Sequence, residues 1–200
     1  MASEKLIFAQ SVEALFVRAL GPYLTRDGRQ RLKAVGLDLS EPLRPQYTLE
    51  QWRAFLRVAA QDVFPHLPPS EASFALGARF LQGFRQTSVG RASLSLVTQL
   101  GPRRTLERVP YNVRAGNNFN EVRVEESTQD SATLWMKDVT ADTPDFAAGF
   151  LAETLRSAGA GHVDVKPIAF DGTAATFRVT WTKAASRAPV AGAAGPRRVH

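Results

Sequence analysis

The sequence predicts an α+β fold in which an N-terminal bundle of five or six helices packs on a C-terminal antiparallel sheet of order β-β-α-β-β. In the first 115 residues, apolar side chains recur at three- and four-residue spacing, which is typical of amphipathic helices. From residue 116 onward, four short segments alternate at period two around one further helical pattern. We therefore expect a single domain over residues 1–183, with a helical half at 1–115 and a sheet-forming half at 116–183.

The first two helices are predicted by their apolar spacing and by the residues that end them. Apolar residues over 6–20 predict a helix that Gly21-Pro22 closes. A second helix over 26–35 ends at Gly36, because glycine adopts the left-handed conformation that follows many helices. The next segment, 37–47, contains two prolines and is predicted to be an ordered loop.

The next helices have clear start signals. Thr48 and Gln51 form a capping box, and the helix they open ends at Phe64-Pro65. Another helix begins near Ser70, and apolar residues recur in it at every fourth position: Ala72, Leu76, Phe80 and Phe84. Glycines interrupt this helix at positions 77 and 83, which suggests the close approach of a neighbouring helix or a ligand, or simply tolerated defects.

A change of period marks the second half of the chain. A helix over 91–100 and a short helical segment to Val109 come first. After Asn117-Asn118, residues 121–125 and 132–137 alternate at period two and predict a pair of strands.

The last elements repeat this arrangement. A helix that opens at Thr143-Pro144 and is capped by Gly159 precedes two more strands, over 163–170 and 173–182. The strands turn at Asp171-Gly172, and Pro167 predicts that its strand lies at an edge or carries a bulge.

The composition narrows the classes of function. Of the 200 residues, 44% are hydrophobic and 22% are charged, which suits a folded chain. With no cysteine the chain has no disulfide, thiolate nucleophile or cysteine-bound metal, and its 3 histidines do not favour a metal site. No run approaches the roughly 18 to 20 apolar residues of a membrane span, and the first residues do not resemble a signal peptide. We therefore expect a cytoplasmic protein.

The net charge of +6 is divided unevenly along the chain. Residues 1–115 carry a net charge of +7, residues 116–183 carry −4, and the last 17 carry +3. A basic half can bind polyanions, but an arginine-rich and lysine-poor composition also arises from a GC-rich genome without any ligand. Because the sequence contains no nucleic-acid motif, we expect no specific nucleic-acid partner.

Aromatic residues near the junction of the two halves are the candidate ligand-binding residues. We expect an apolar pocket between the helices and the sheet, lined by Phe80, Phe84, Tyr111 and Phe119. Ordinary core packing explains most such rows, so on spacing alone the core is favoured over the pocket. The sequence contains no phosphate-loop, dinucleotide, serine-hydrolase or zinc-protease motif, so no catalytic residue is predicted.

A set of short motifs resembles one protein family. They comprise Ala72, Leu76-Gly77, Phe80, Gly83-Phe84, Thr87, Gly90-Arg91, Leu100-Gly101-Pro102-Arg103-Arg104, Leu106, Gly116-Asn117-Asn118-Phe119, Glu121 and Trp181. This string resembles an uncharacterised family of roughly 200-residue proteins found as many paralogues in myxobacteria, and the likeness spans about residues 6–182. More distantly, the order of elements is similar to haem nitric-oxide-binding domains, vinyl-reductase-type domains and trafficking-complex subunits.

The distant resemblance implies a fold that holds haem, an acyl chain or another apolar ligand between helices and sheet. In its haem-binding members a proximal histidine follows the helix that matches residues 103–109 here. The matching stretch, 109–114, has no histidine, and no tyrosine follows Tyr111 to complete the Tyr-x-Ser-x-Arg motif that holds the haem propionates. We therefore predict no cofactor and expect that haem is not bound.

These observations favour a non-enzymatic module that binds a small apolar or amphipathic molecule, or that relays a signal to a partner. One alternative is a protein-interaction adaptor with a filled core, forming a homodimer through its N-terminal helices. Another is an enzyme with an unrecognised polar site near Asn117, Asn118 and Glu121. A cavity favours the first hypothesis, and a sealed core with an exposed apolar helix face favours the second.

Residues 184–200 are rich in alanine, glycine and proline and are predicted to be a disordered tail. Such a segment buries too little apolar surface to offset an ordering cost of about 1 to 2 kcal/mol per residue. We therefore expect truncation after Lys183 to leave the melting temperature unchanged within error in differential scanning calorimetry. A loss of several degrees would show that the tail packs on the fold.

Overall fold

The structure, a computed structural model, describes residues 4–183, except for the side chains of residues 93–99. The predicted tail at 184–200 lies outside the described residues. Within the described part of the chain, no helix is both long enough and apolar enough to cross a membrane.

The first half of the chain is helical apart from two three-residue strands. Its elements are β1 (Leu6–Phe8), α1 (Ala9–Val12) with a π-helical continuation (Glu13–Ala19), α2 (Arg26–Ala34), β2 (Gln46–Thr48), α3 (Leu49–Val63), α4 (Pro69–Phe84), α5 (Ser88–Asn112) and a 3-10 turn (Val113–Ala115). The predicted capping box opens α3: the Thr48 hydroxyl accepts from the Gln51 amide, and the Gln51 side chain accepts from the Thr48 amide, both at 3.1 Å.

The second half forms a four-stranded antiparallel sheet with one helix. Its elements are β3 (Glu121–Ser127), β4 (Ser131–Lys137), α6 (Asp145–Ser157), β5 (Ala160–Phe170) and β6 (Ala175–Lys183). The strands lie in the order β3-β4-β6-β5, so the predicted α+β class and β-β-α-β-β order are confirmed. Pro167 lies on the edge strand β5, and the pairing with β6 shifts register between Pro167 and Ala169, as its missing N–H predicted.

Two predicted boundaries differ from the structure. The first helix begins at Ala9 because Leu6–Phe8 is extended and pairs with Gln46–Thr48, at the end of the predicted loop. This strand is also held at residues distant in sequence: the Leu6 amide donates to Asn118 Oδ1 at 2.8 Å, and the Phe8 amide donates to the Gly116 carbonyl at 3.0 Å. Such long-range pairing leaves no local signal, because three consecutive apolar residues fit the period of a helix and that of a strand equally well.

The second difference concerns the helix before the sheet. The two predicted segments form one kinked element, α5, in which Gly101 has a positive φ of 75° and Pro102 starts the second part. The helix continues through Pro110 to Asn112, beyond the predicted end at Val109.

Each half has its own apolar core. Phe16, Trp52 and Phe55 are buried in the N-terminal core, and edge-to-face contacts of Phe16 with Trp52 and with Phe55 join their rings. Leu151 on α6 and Phe177 on β6 are completely buried in the C-terminal core, between the helices and one face of the sheet.

Helix α4 connects these two cores through backbone contacts. A Cβ placed on Gly77 would overlap the carbonyl of Phe146 on α6, and one placed on Gly149 of α6 would overlap the carbonyl of Phe74 on α4. On its other side, a Cβ on Gly83 would overlap the carbonyl of Ala14 in the π-helical segment. The glycines that interrupt α4 therefore permit close helix approach, one of the alternatives that the sequence left open.

We expect Gly77→Ala to destabilise the protein by about 1 to 3 kcal/mol, because the added methyl group must separate α4 from α6. Helix propensity alone would favour alanine by about 1 kcal/mol, so the steric effect opposes the intrinsic one. The measurement is urea unfolding at constant m-value. Ala75→Gly on the same helix serves as the control for backbone propensity. A Gly77→Ala variant more stable than wild type would show that α4 and α6 can separate at this contact without cost.

Candidate functional site

A cavity of about 160 Å³ lies where the helical half meets the sheet-forming half. Its walls come from β1, α1, α3, α4, the end of α5, the segment after it, β4 and α6: Ile7, Ser11, Trp52, Phe80, Leu81, Phe84, Val109, Tyr111, Asn112, Val113, Ala115, Gly116, Asn117, Asn120, Met136, Thr140, Phe146, Ala147, Phe150 and Thr154. An engineered apolar cavity of about 150 Å³ binds benzene or xenon, whereas pockets for drug-sized ligands begin at about 300 Å³. With the observed side-chain conformations, the cavity therefore suits a ligand of about the size of benzene.

A group of aromatic rings, which we call the aromatic wall, lines one side of the cavity. Phe80 is at its centre: its ring centroid lies 6.1 Å from that of Phe84, 5.9 Å from those of both Phe146 and Phe150, and 6.3 Å from that of Trp52. The four-residue spacing places Phe80 and Phe84 on one face of α4, and the same spacing places Phe146 and Phe150 on the facing side of α6. The contact between these two helices thus positions the wall.

Polar side chains of the lining hold the backbone that surrounds the cavity. Asn117 Oδ1 accepts from the Asn120 amide at 2.7 Å, and Asn120 Nδ2 donates to the carbonyls of Lys137 and Asp138. Ser11 Oγ donates to the Gly116 carbonyl at 3.0 Å. These groups close the junction between the end of α5 and the sheet.

Tyr111 and Asn112 mark the mouth of the cavity. Both residues contribute to its lining and are exposed, Tyr111 by 77%. By contrast, Trp52, 1% exposed, and Phe146, 5% exposed, lie at buried parts of the lining. A molecule that enters beside Tyr111 would therefore meet the aromatic wall.

The cavity lining contains no charged residue among those that the structure describes. Two carboxylates with shifted pKa values lie in loops elsewhere. The pKa of Asp38 is lowered to about 2 by hydrogen bonds from the Lys33 ammonium and then from Ser40. The pKa of Asp171 is lowered by the amides of Ala174 and Thr173 in the turn between β5 and β6.

Three of the four predicted pocket residues, Phe80, Phe84 and Tyr111, line the cavity. Phe119 is not part of the lining and is partly buried against the N-terminal core. Sequence reasoning did not include Phe146 and Phe150, although their four-residue spacing on a predicted helix was a usable signal. The involvement of Trp52 and Met136 depends on tertiary packing and carries no local signal.

The polar residues considered for an enzyme site already have structural partners. Asn118 Oδ1 accepts from the Leu6 amide, and Asn118 Nδ2 donates to the Glu4 carbonyl at 3.0 Å. Glu121 accepts a hydrogen bond from Arg123 Nε at 2.9 Å. In the described chain, no group of three or more histidine, aspartate or glutamate residues is arranged to hold a metal ion.

The fold is similar to that of H-NOX proteins. The Fe(II) unliganded H-NOX protein from K. algicida shares 15% identity with a TM-score of 0.59, covering 87% of this chain and 95% of that one. A point mutant of the T. tengcongensis H-NOX shares 12% identity with a TM-score of 0.58, covering 87% and 94%. A structure from work on heme distortion in the H-NOX family shares 11% identity with a TM-score of 0.60, covering 90% and 97%. The predicted distant relationship to haem nitric-oxide-binding domains is thereby confirmed at the level of the fold.

This relationship contradicts the expectation of no cofactor and no haem. The proteins that share the fold include structures described by their heme chemistry, so the expectation that haem is not bound does not stand. No histidine lines the cavity, yet Tyr111 and Met136 do, and both residue types serve as axial ligands of haem iron elsewhere. A tetrapyrrole is larger than a benzene-sized space, so the half-buried rings of Phe80 and Phe84 would have to move to admit it. The expectation was wrong because it treated two missing local motifs, the proximal histidine and Tyr-x-Ser-x-Arg, as decisive.

Sequence comparison defines the family. No curated protein shows significant similarity to the chain. A family model described as "Protein of unknown function (DUF2378)" matches residues 5–182, which is nearly the whole described chain. The chain therefore belongs to the DUF2378 family.

Proposed function

We propose that this protein is a sensory module that binds a small apolar or amphipathic molecule in the cavity between its two halves. The observation that carries the proposal is the aromatic wall, which presents five rings to a space reached beside Tyr111. Apolar lining with a few polar groups is typical of small-molecule sites at the boundary of two substructures. Similarity to H-NOX proteins supports the same type of module but identifies no ligand.

A bound molecule would contact both halves at once. Phe80 and Phe84 belong to α4, Phe146 and Phe150 to α6, and Val109 to the second part of α5. Filling the cavity therefore favours the arrangement of these helices that gives the ligand the most contact. A ligand can shift such an equilibrium only by its difference in affinity for the two arrangements. Signal transmission in this proposal is a change in how α4, α5 and α6 pack.

Haem belongs to the set of ligands to be tested because of the fold relationship. When bound, it would supply an iron centre for a diatomic gas or an electron, and Tyr111 or Met136 would be the residue of the lining that ligates the iron. The test is reconstitution with haemin followed by gel filtration. A retained Soret band that changes in Tyr111→Phe or in Met136→Leu would identify the ligating residue.

We expect Phe84→Ala to weaken ligand binding, because it removes one ring of the aromatic wall. The measurement is the thermal shift of wild type and variant with benzene derivatives, fatty acids, quinones and haemin. A ligand at a hundredfold excess over its Kd stabilises the folded state by about 2.7 kcal/mol, which is easily detected.

Phe119→Ala is the matched control, since Phe119 is partly buried but does not line the cavity. It should lower the melting temperature while leaving the ligand-induced shift intact. If no compound shifts the wild-type protein, the cavity is not a binding site and the adaptor hypothesis takes its place. If both variants lose the shift equally, the loss reflects general destabilisation and not the aromatic wall.

A further inference from the structure

One buried donor in the cavity wall has no hydrogen-bond partner. Trp52 lines the cavity and is 1% exposed, and its indole Nε1 is buried without an acceptor. Buried N–H groups are nearly always paired, and an unmade hydrogen bond costs about 1 to 3 kcal/mol. The indole is held by edge-to-face contacts with Phe16, Phe80 and Phe146. The packing of the described residues thus supplies no hydrogen-bond acceptor to this donor.

The other buried polar side chains of the lining differ from Trp52, because each of them donates to a backbone carbonyl. Ser11 Oγ and Thr154 Oγ1 donate to the carbonyls of residues 116 and 150. The side-chain amide of Asn117 donates to the carbonyl of residue 113, and both hydrogens of Asn120 Nδ2 are engaged. The unsatisfied donor is thus buried within the aromatic wall.

We infer, on the basis of the proposed function, that the ligand is an uncharged molecule with a carbonyl-type acceptor at its inner end, which accepts from Trp52 Nε1. Charge is excluded at that end because no described residue of the lining could neutralise a carboxylate or a phosphate, and an unpaired buried ion is very costly. A ketone, an aldehyde or a quinone has the required chemistry. Nε1 is covered by its neighbours. Of the three rings that contact the indole, only that of Phe80 is half-buried, so we expect a movement of this ring to open the way for the acceptor.

Two probes of matched shape test this inference. Acetophenone and α-methylstyrene differ only in that a C=O group replaces a C=CH₂ group, so both fit an apolar space but only the ketone accepts a hydrogen bond. Binding is followed in ¹⁵N–¹H correlation spectra of the full chain, whose 3 tryptophans give three indole signals that Trp→Phe variants assign. We expect acetophenone to move the Trp52 indole proton to lower field, and α-methylstyrene to leave it without that displacement.

Calorimetric affinities provide the second readout. In Trp52→Phe, the affinity ratio of acetophenone to α-methylstyrene should fall about three- to tenfold relative to wild type, the range expected for one neutral hydrogen bond. The matched control is Trp181→Phe, which alters a tryptophan of the C-terminal core that does not line the cavity and should leave the ratio unchanged.

The outcomes separate the two proposals. If both probes bind wild type but the indole signal and the ratio do not distinguish them, the inference is overturned while the proposed function stands. If neither probe binds, the inference fails, whereas the proposed function fails only if the thermal-shift panel also yields no ligand. The wild-type spectra give this answer even if Trp52→Phe does not fold.

Discussion

The backbone contact between α4 and α6 is the constraint on which the rest of the structure depends. Gly77 and Gly149 face the carbonyls of Phe146 and Phe74 at distances that no side chain would permit. This close contact brings the N-terminal core, to which α4 contributes, against α6. It also fixes the separation of the two helices a turn or more beyond Gly77, where the rings of α4 stand opposite Phe150. The cavity lies beside this contact, since Phe146 both faces Gly77 and lines the space.

The cavity is bounded by residues of both apolar cores. Trp52 and Phe146 belong to the N-terminal core, Val109 and Met136 belong to the C-terminal core, and all four line the space. Beyond them, the walls are completed by the end of α5 and by the loop that Asn117 and Asn120 hold in place. Because these asparagines bind backbone groups, hydrogen bonds hold the loop that completes the wall, while aromatic rings form the rest of it.

Much of the fold could be predicted from residue spacing and from chain-breaking residues. The capping box at Thr48, the turn at Gly172 and the edge position of Pro167 are local signals with one physical meaning each. The short strand Leu6–Phe8 was missed because its partners are remote in sequence: Tyr47 and Asn118 are separated from it by about 40 and 110 residues. No pattern in a window of a few residues encodes such a pairing.

The site was less predictable than the fold. Aromatic periodicity correctly indicated that Phe80 and Phe84 line the cavity, but Phe119 packs against the N-terminal core. The direction of the Phe119 side chain could not be predicted, because a loop residue has no periodicity. Trp52 gave no local signal for a role in the cavity, because its exposure to that space depends on how α3, α4 and α6 meet. The expectation about haem failed for a related reason: two missing local motifs say little about a fold that is shared at 11% to 13% sequence identity.

Diffraction from crystals pressurised with xenon tests the central claim, an apolar binding space between the two halves, most directly. Xenon occupies apolar cavities of about this volume and needs no particular chemistry from them. The account predicts an anomalous peak surrounded by Phe84, Phe150 and Val109. Electron density in which these side chains fill the space, with no xenon between α4 and α6, would contradict it.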